Sequence, residues 1–163
     1  MATSPVQTNP ELTAAELAAW RGLLRVHAAL FKTLDAELEA AHGVPLSSYE
    51  VLIYLRSAPE HKLRMADLAE RVLLSRSGMT RLVDRLERDG LLAREQCSAD
   101  ARGCYATLTE RGEAFLEEAR PTHLAGIRER FLRHFSPAEL ELLGECWERV
   151  APGAGDATGP ACD

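Results

Sequence analysis

What this chain lacks narrows it first. No apolar run approaches the roughly 20 residues a helix needs to cross a bilayer. The opening MATSPVQTNP has no basic region followed by an apolar one, so it does not read as a signal peptide; a cytoplasmic protein with no membrane partner is the expectation. Aromatic residues are scarce, at 6% against 46% hydrophobic. The core must therefore be built from Leu and Ala, which favour helix over sheet. The four cysteines, Cys97, Cys104, Cys146 and Cys162, follow no disulfide framework. Cys97 and Cys104 could be half of a metal site, but no nearby His or Cys pair completes tetrahedral ligation. No cofactor is expected. Signatures of catalysis are missing too: no phosphate-cradling Gly loop, no His-Glu-x-x-His, no Ser/His/Asp set. The five histidines (His27, His42, His61, His123 and His134) are scattered, and the chain does not read as an enzyme.

Nor is there an excess of base. Lys and Arg number 19 against 25 Asp and Glu, a net charge of −6 over 163 residues, which argues against indiscriminate nucleic-acid binding. The charge is uneven, however. Residues 62–104 hold nine basic and seven acidic side chains, leaving ten against eighteen elsewhere. A locally basic segment on an acidic molecule can mark a nucleic-acid face. At its centre lies SRSGMTRLVDRLERDG, residues 75–90, with Arg76, Arg81, Arg85 and Arg88.

Around this stretch the apolar periodicity sets out helices. Thr13 with Glu16 resembles a capping box that opens a helix running to about Ala41. Leu17, Trp20, Leu24, His27, Phe31, Leu34 and Leu38 form its apolar stripe. At 1.5 Å per residue it spans about 40 Å, too long for a small core to cover, so part of it is expected to pack on another chain. Gly43 stops it. Ser47 is the expected cap of a second helix, Ser48 to Ser57, with Glu50 at its third position. A third helix is expected over Met65–Leu73. In residues 75–90, Met79, Leu82, Val83 and Leu86 fall on one face and Gly90 offers a left-handed C-terminal cap. LLAREQ and YATLT then read as a β-hairpin. Thr109 caps a long helix over Glu110–His134, with Pro121 predicting a kink. Its stripe is Phe115, Leu116, Ala119, Leu124, Ile127 and Phe131. Ser136, Pro137 and Glu139 open a last helix to about Val150. Residues 1–10 and 151–163 are expected to be disordered.

The order α-α-α-α-β-β-α-α is mainly α with a small β-hairpin wing. A short helix, a turn, an amphipathic helix and a hairpin make a winged helix-turn-helix, whose second helix enters the major groove of double-stranded DNA. With the apolar face inward, Arg76, Ser77, Thr80, Arg81, Arg85 and Arg88 remain for bases and phosphates. An alternative stays open. Arg81–Asp84, Asp84–Arg88 and Arg85–Asp89 are spaced to pair along a helix, as on the solvated surface of a dimeric scaffold that binds no DNA.

The run LAERVLLSRSGMTRLVDRLERDGLLARE, followed by DAR and LTERG, resembles the MarR family of bacterial transcription regulators. Its wing pattern is matched by Asp100, Arg102, Leu108, Thr109 and Gly112, and the likeness covers roughly residues 13–150. The resemblance implies a homodimer joined through residues 11–46 and 110–150, with a DNA-binding module at 47–109 that meets a pseudo-palindromic operator, most often as a repressor. It implies that Arg76, Ser77, Thr80 and Arg85 grip the major groove. Arg102 would enter the minor groove, oriented by Asp100.

The resemblance further implies release by a small aromatic or anionic effector bound between the dimer helices and the reading head. Trp20, His27, Phe31, Tyr49, Glu50 and Tyr54 are candidates for that cleft. HAALFKTLDAEL, SYEVL and MTRLVDRL are similar to the urate-responsive branch, in which an acid in the second helix and an arginine in the recognition helix act together. Glu50 and Arg81 stand at those positions, Glu replacing the more usual Asp. That branch has an added N-terminal helix carrying a tryptophan, whereas Trp20 here lies inside the first helix. A redox trigger through Cys97 and Cys104 is the alternative. The peroxide-sensing members carry a cysteine near the first helix, and none precedes Cys97 here. If Leu92 and Leu108 both face the core, directly opposed residues have numbers summing to an even value. Cys97 and Cys104 sum to an odd one and face opposite sides unless a bulge intervenes.

Overall fold

The computed structural model describes residues 11–72, 74–96 and 104–153, with Arg76 and Gln96 described by their backbone alone. Helix α1 runs over Ala14–His42 and opens on the expected capping box. Glu16 N–H donates to Thr13 Oγ1 at 3.2 Å and Thr13 N–H donates back to the Glu16 carboxylate at 2.7 Å. It ends where Gly43 turns left-handed, at φ 69°.

Helix α2 departs from its expected start. It covers Leu46–Ser57, and no side chain of its own first residues caps it. The free Leu46 N–H donates instead to Asp35 Oδ1 of α1 at 2.8 Å. The cap comes from across the helix corner, so the hydroxyls of Ser47 and Ser48 are released for other partners.

A strand that periodicity did not suggest follows. β1, Lys62–Arg64, has only three residues, too few to show alternation, and exists because the hairpin offers it an edge. It is entered through Pro59–His61, where Glu60 and His61 both take positive φ (56° and 53°). Helix α3 spans Met65–Arg71 and buries Leu68 and Ala69; the expected last residue, Leu73, lies outside the described residues. Helix α4 is Arg76–Arg88, capped by Ser75, whose Oγ accepts the Gly78 N–H at 3.1 Å. Met79, Leu82, Val83 and Leu86 are buried as the spacing demanded, and Gly90 closes the end at φ 75°.

The hairpin pairs β2, Leu92–Gln96, with β3, Cys104–Leu108, in the register Leu92↔Leu108 through Gln96↔Cys104. Opposed residues thus sum to an even number, and Cys104 faces Gln96. Cys97, Asp100 and Arg102 lie outside the described residues, as do residues 1–10 and, with Cys162, 154–163. The sheet order is β1-β3-β2.

Helix α5, Glu110–Arg130, continues as one helix through Pro121 and stops short of His134. A short 3-10 turn, Leu132–His134, separates it from α6, Pro137–Val150. The expected Ser136–Glu139 capping box opens α6.

The core lies where α2, α3 and α4 meet the sheet, around Leu52, Leu55, Leu68, Met79, Leu86, Leu92 and Ala106. Leu38 of α1 and Leu116 and Ala119 of α5 anchor the long helices to it. The outer two thirds of α1 have no such cover. Of the expected stripe only Leu38 is fully buried, while Trp20 is 55%, Leu24 49% and Phe31 39% exposed, and α6 buries no residue. No helix among the described residues is long and apolar enough to cross a membrane.

Candidate nucleic-acid interface

The exposed face of α4 carries Ser77, Thr80, Arg81, Arg85 and Arg88, with Arg76 at the first helical position. None of the pairs Arg81–Asp84, Asp84–Arg88 and Arg85–Asp89 forms an ion pair among the described residues. Two acids of the helix, Asp84 and Glu87, are instead taken by a residue from outside it. Arg94 of β2 is paired to Asp84, lies 3.2 Å from the Glu87 carboxylate, and donates to the Thr80 carbonyl at 3.3 Å. Its own backbone N–H also donates to Glu87 at 3.2 Å. Arg94 reaches them because it sits opposite Ala106, on the same inward face as Leu92. One side chain thereby fastens the base of the hairpin to α4 and engages both Asp84 and Glu87, while Arg81, Arg85 and Arg88 have no carboxylate partner among the described residues.

Arg85 is held from behind. Its Nη2 donates to Ser48 Oγ at 2.8 Å, and Ser48 is fully buried at the start of α2. Arg81, Arg85 and Arg88, with Ser47 and Gly78, line a groove of about 450 Å³ between the start of α2 and α4. On the outer face of the sheet, Lys62 pairs with Glu95, and Lys62 and Arg64 lie 5.0 and 5.3 Å from the centre of the Tyr105 ring. Hydrogen bonds from Lys62 and Thr107 hold the Glu95 carboxyl below the usual carboxylate range.

The effector candidates divide among several places. His27 and Phe31 neighbour each other on the exposed part of α1, with ring centres 6.2 Å apart, near exposed Trp20. Glu50 of α2 is partly buried; burial pushes its carboxyl up and the field of His27 opposes this. Tyr49 is core, its ring 4.8 Å from that of His123, and Tyr54 lies beneath the Arg71 guanidinium at 5.9 Å. Arg81 is on the α4 groove. A second cavity, about 320 Å³ and mostly apolar, lies between α1 and α6 and includes His27, Phe131, Phe135 and Trp147.

Sequence reasoning missed Ser48, Arg94 and His123. Arg94 could have been found from hairpin parity, which places it inward beside two helical acids. Ser48 and His123 left no such signal, because their partners come from helices distant in the chain.

A helix whose described arginines have no carboxylate partner among the described residues, set behind a two-helix turn on a three-stranded sheet, defines the winged helix-turn-helix class of DNA-binding protein. Residues 42–103 match the MarR family. The HTH-type transcriptional regulator YkoM of Bacillus subtilis is 34% identical over 124 residues, 74% of this chain and 79% of that protein. The HTH-type transcriptional repressor YetL of the same organism is 30% identical over 116 residues, 69% of each chain. The crystal structure of Sco3205, a MarR family regulator from Streptomyces coelicolor in complex with DNA, is 32% identical with a TM-score of 0.82, covering 93% of this chain and 95% of that one. The chain belongs to the MarR family and is a DNA-binding transcriptional regulator.

Proposed function

We propose that the protein acts as a homodimeric repressor that sits on a pseudo-palindromic operator and leaves it when a small anionic or aromatic compound binds. The observation that carries the DNA-reading part is the row of arginines on α4 without carboxylate partners among the described residues, its acids turned away to Arg94. Arg85, Arg76, Ser77 and Thr80 read or grip the major groove, and Arg102, oriented by Asp100, serves the minor groove. The dimer is supported by Trp20, Leu24 and Phe31 on α1 and Leu142 on α6, large apolar side chains that one chain leaves exposed. The repressor sign leans on YetL. Release by an anion is supported by the groove holding Arg81, where a competing charge would meet Arg85 and Arg88 as well.

The test is selection of duplexes from a randomised library by the protein itself, followed by binding titrations at several salt concentrations. A palindromic motif with half-sites about one helical turn apart is expected, with two chains per duplex and affinity falling steeply with salt. Arg85→Ala is expected to lose roughly tenfold or more against the selected duplex and to relax one base position. Failure to enrich any motif, or binding as one chain per duplex, would overturn the proposal.

A further inference from the structure

Ser48 has no place in the DNA surface, yet it holds one of that surface's arginines. Its Oγ is fully buried at the third residue of α2 and accepts a hydrogen bond from Arg85 Nη2 at 2.8 Å. The hydroxyl is free to do so because Asp35, and not Ser47 or Ser48, caps α2. Arg85 forms no ion pair with the acids of its own helix among the described residues; Asp84 and Glu87 are bound by Arg94. A guanidinium has five donors in a rigid planar fork. With one donor engaged on the protein side, the remaining donors of the planar fork are available for bidentate contact with a base edge.

We infer that Ser48 is a positioning residue for DNA recognition: from inside α2 it fixes the plane of the Arg85 guanidinium before DNA arrives, and so sets sequence discrimination without touching DNA. The inference rests on the reading of Arg85 as a base contact. Without the anchor, a long side chain would have to be ordered at the moment of binding, which costs a binding partner roughly three- to tenfold in affinity. That loss falls on the operator and not on unrelated DNA, where arginine acts as a charge on phosphate wherever it points. Ser48→Ala is expected to leave the fold intact. Alanine fits the same space, and the exposed Arg85 regains water for the bond it loses.

The experiment is a double-mutant cycle of Ser48→Ala and Arg85→Ala, read by fluorescence anisotropy on the duplex the wild-type protein selects and on a scrambled duplex. Melting temperature is followed in parallel. Ser48→Ala is expected to weaken operator binding about three- to tenfold, leave scrambled binding and its salt slope unchanged, and leave the melting temperature within a degree or two. In the Arg85→Ala background the same change is expected to do nothing more. An undiminished operator affinity in Ser48→Ala, equal losses on both duplexes, or the same loss in the Arg85→Ala background would each overturn the role of Ser48. Full operator affinity in Arg85→Ala alone would overturn the earlier reading of Arg85 instead.

Discussion

Gly112, in the first turn of α5, is where the helical arm meets the winged module, and Gly112→Ala tests that junction most sharply. A Cβ there would lie 2.1 Å from the Leu91 carbonyl oxygen and 2.6 Å from Leu108 Cδ1. The leucine methyl can rotate away, but the carbonyl is backbone, and it accepts the Thr109 N–H at 3.3 Å. An ordinary C···O contact is about 3.3 Å or more, so α5 must retreat by roughly an ångström. That retreat pulls on the Thr109 cap, where Oγ1 accepts the Gly112 N–H at 3.0 Å and donates to the Gly90 carbonyl at 2.7 Å. Overpacking costs about 1–3 kcal/mol, and weakening the cap adds about 1 kcal/mol. Alanine's better helix propensity returns about 1 kcal/mol. A net loss of about 1–3 kcal/mol is expected, lowering the melting temperature by roughly 3–10 °C at fixed protein concentration. Because α5 carries the module, affinity for the selected duplex is expected to fall as well. A calorimetric melting temperature equal to or above wild type would refute the reasoning, since it would mean the Cβ is accommodated without movement.

Leu24→Glu places a charge on the exposed apolar face of α1 and is expected to give monomers in sedimentation velocity with folded circular dichroism; an intact dimer would move the interface elsewhere. Arg81→Ala is expected to abolish release of the duplex by whichever small anion or aromatic acid a thermal-shift screen finds to displace wild type; unchanged sensitivity would remove Arg81 from the response. His123 is buried with an unsatisfied Nδ1, and burial pushes its imidazole below the usual value. The unfolded chain takes up this proton near pH 6.5 while the folded one resists it. Its contribution to stability is therefore level at higher pH and declines as pH falls through about 6.5. His123→Leu should flatten that decline between pH 7 and 5.5, and melting temperatures that fall in parallel for both proteins would exclude the assignment.

Most of the helices were legible because their signals are local. The capping boxes at Thr13–Glu16 and Ser136–Glu139 stand within one turn of what they cap, and the buried face of α4 follows from spacing alone. Hairpin register was legible for the same reason, since parity along two short strands leaves little choice. The helix-spaced charge pairs of α4 stayed an open alternative in the sequence because spacing shows which pairs are possible, not which partner wins. Arg94 wins because the sheet presses it against Asp84 and Glu87. The start of α2 and the strand β1 were hidden for a related reason: the cap of one and the partner of the other are supplied by segments 11 and about 40 residues away.

By itself, then, the amino-acid sequence determined the type of each long helix and of the hairpin, the inward face of α4 and its arginine content, all consequences of periodicity and nearest neighbours along the chain. Tertiary structure alone decided which partners the arginines and acids of α4 take. It turned Arg94 inward to take the acids, set Ser48 behind Arg85, and left Trp20, Leu24 and Phe31 beyond the reach of the chain's own core. These outcomes depend on contacts between residues far apart in the chain, whose energies are settled only once the helices and the sheet have packed.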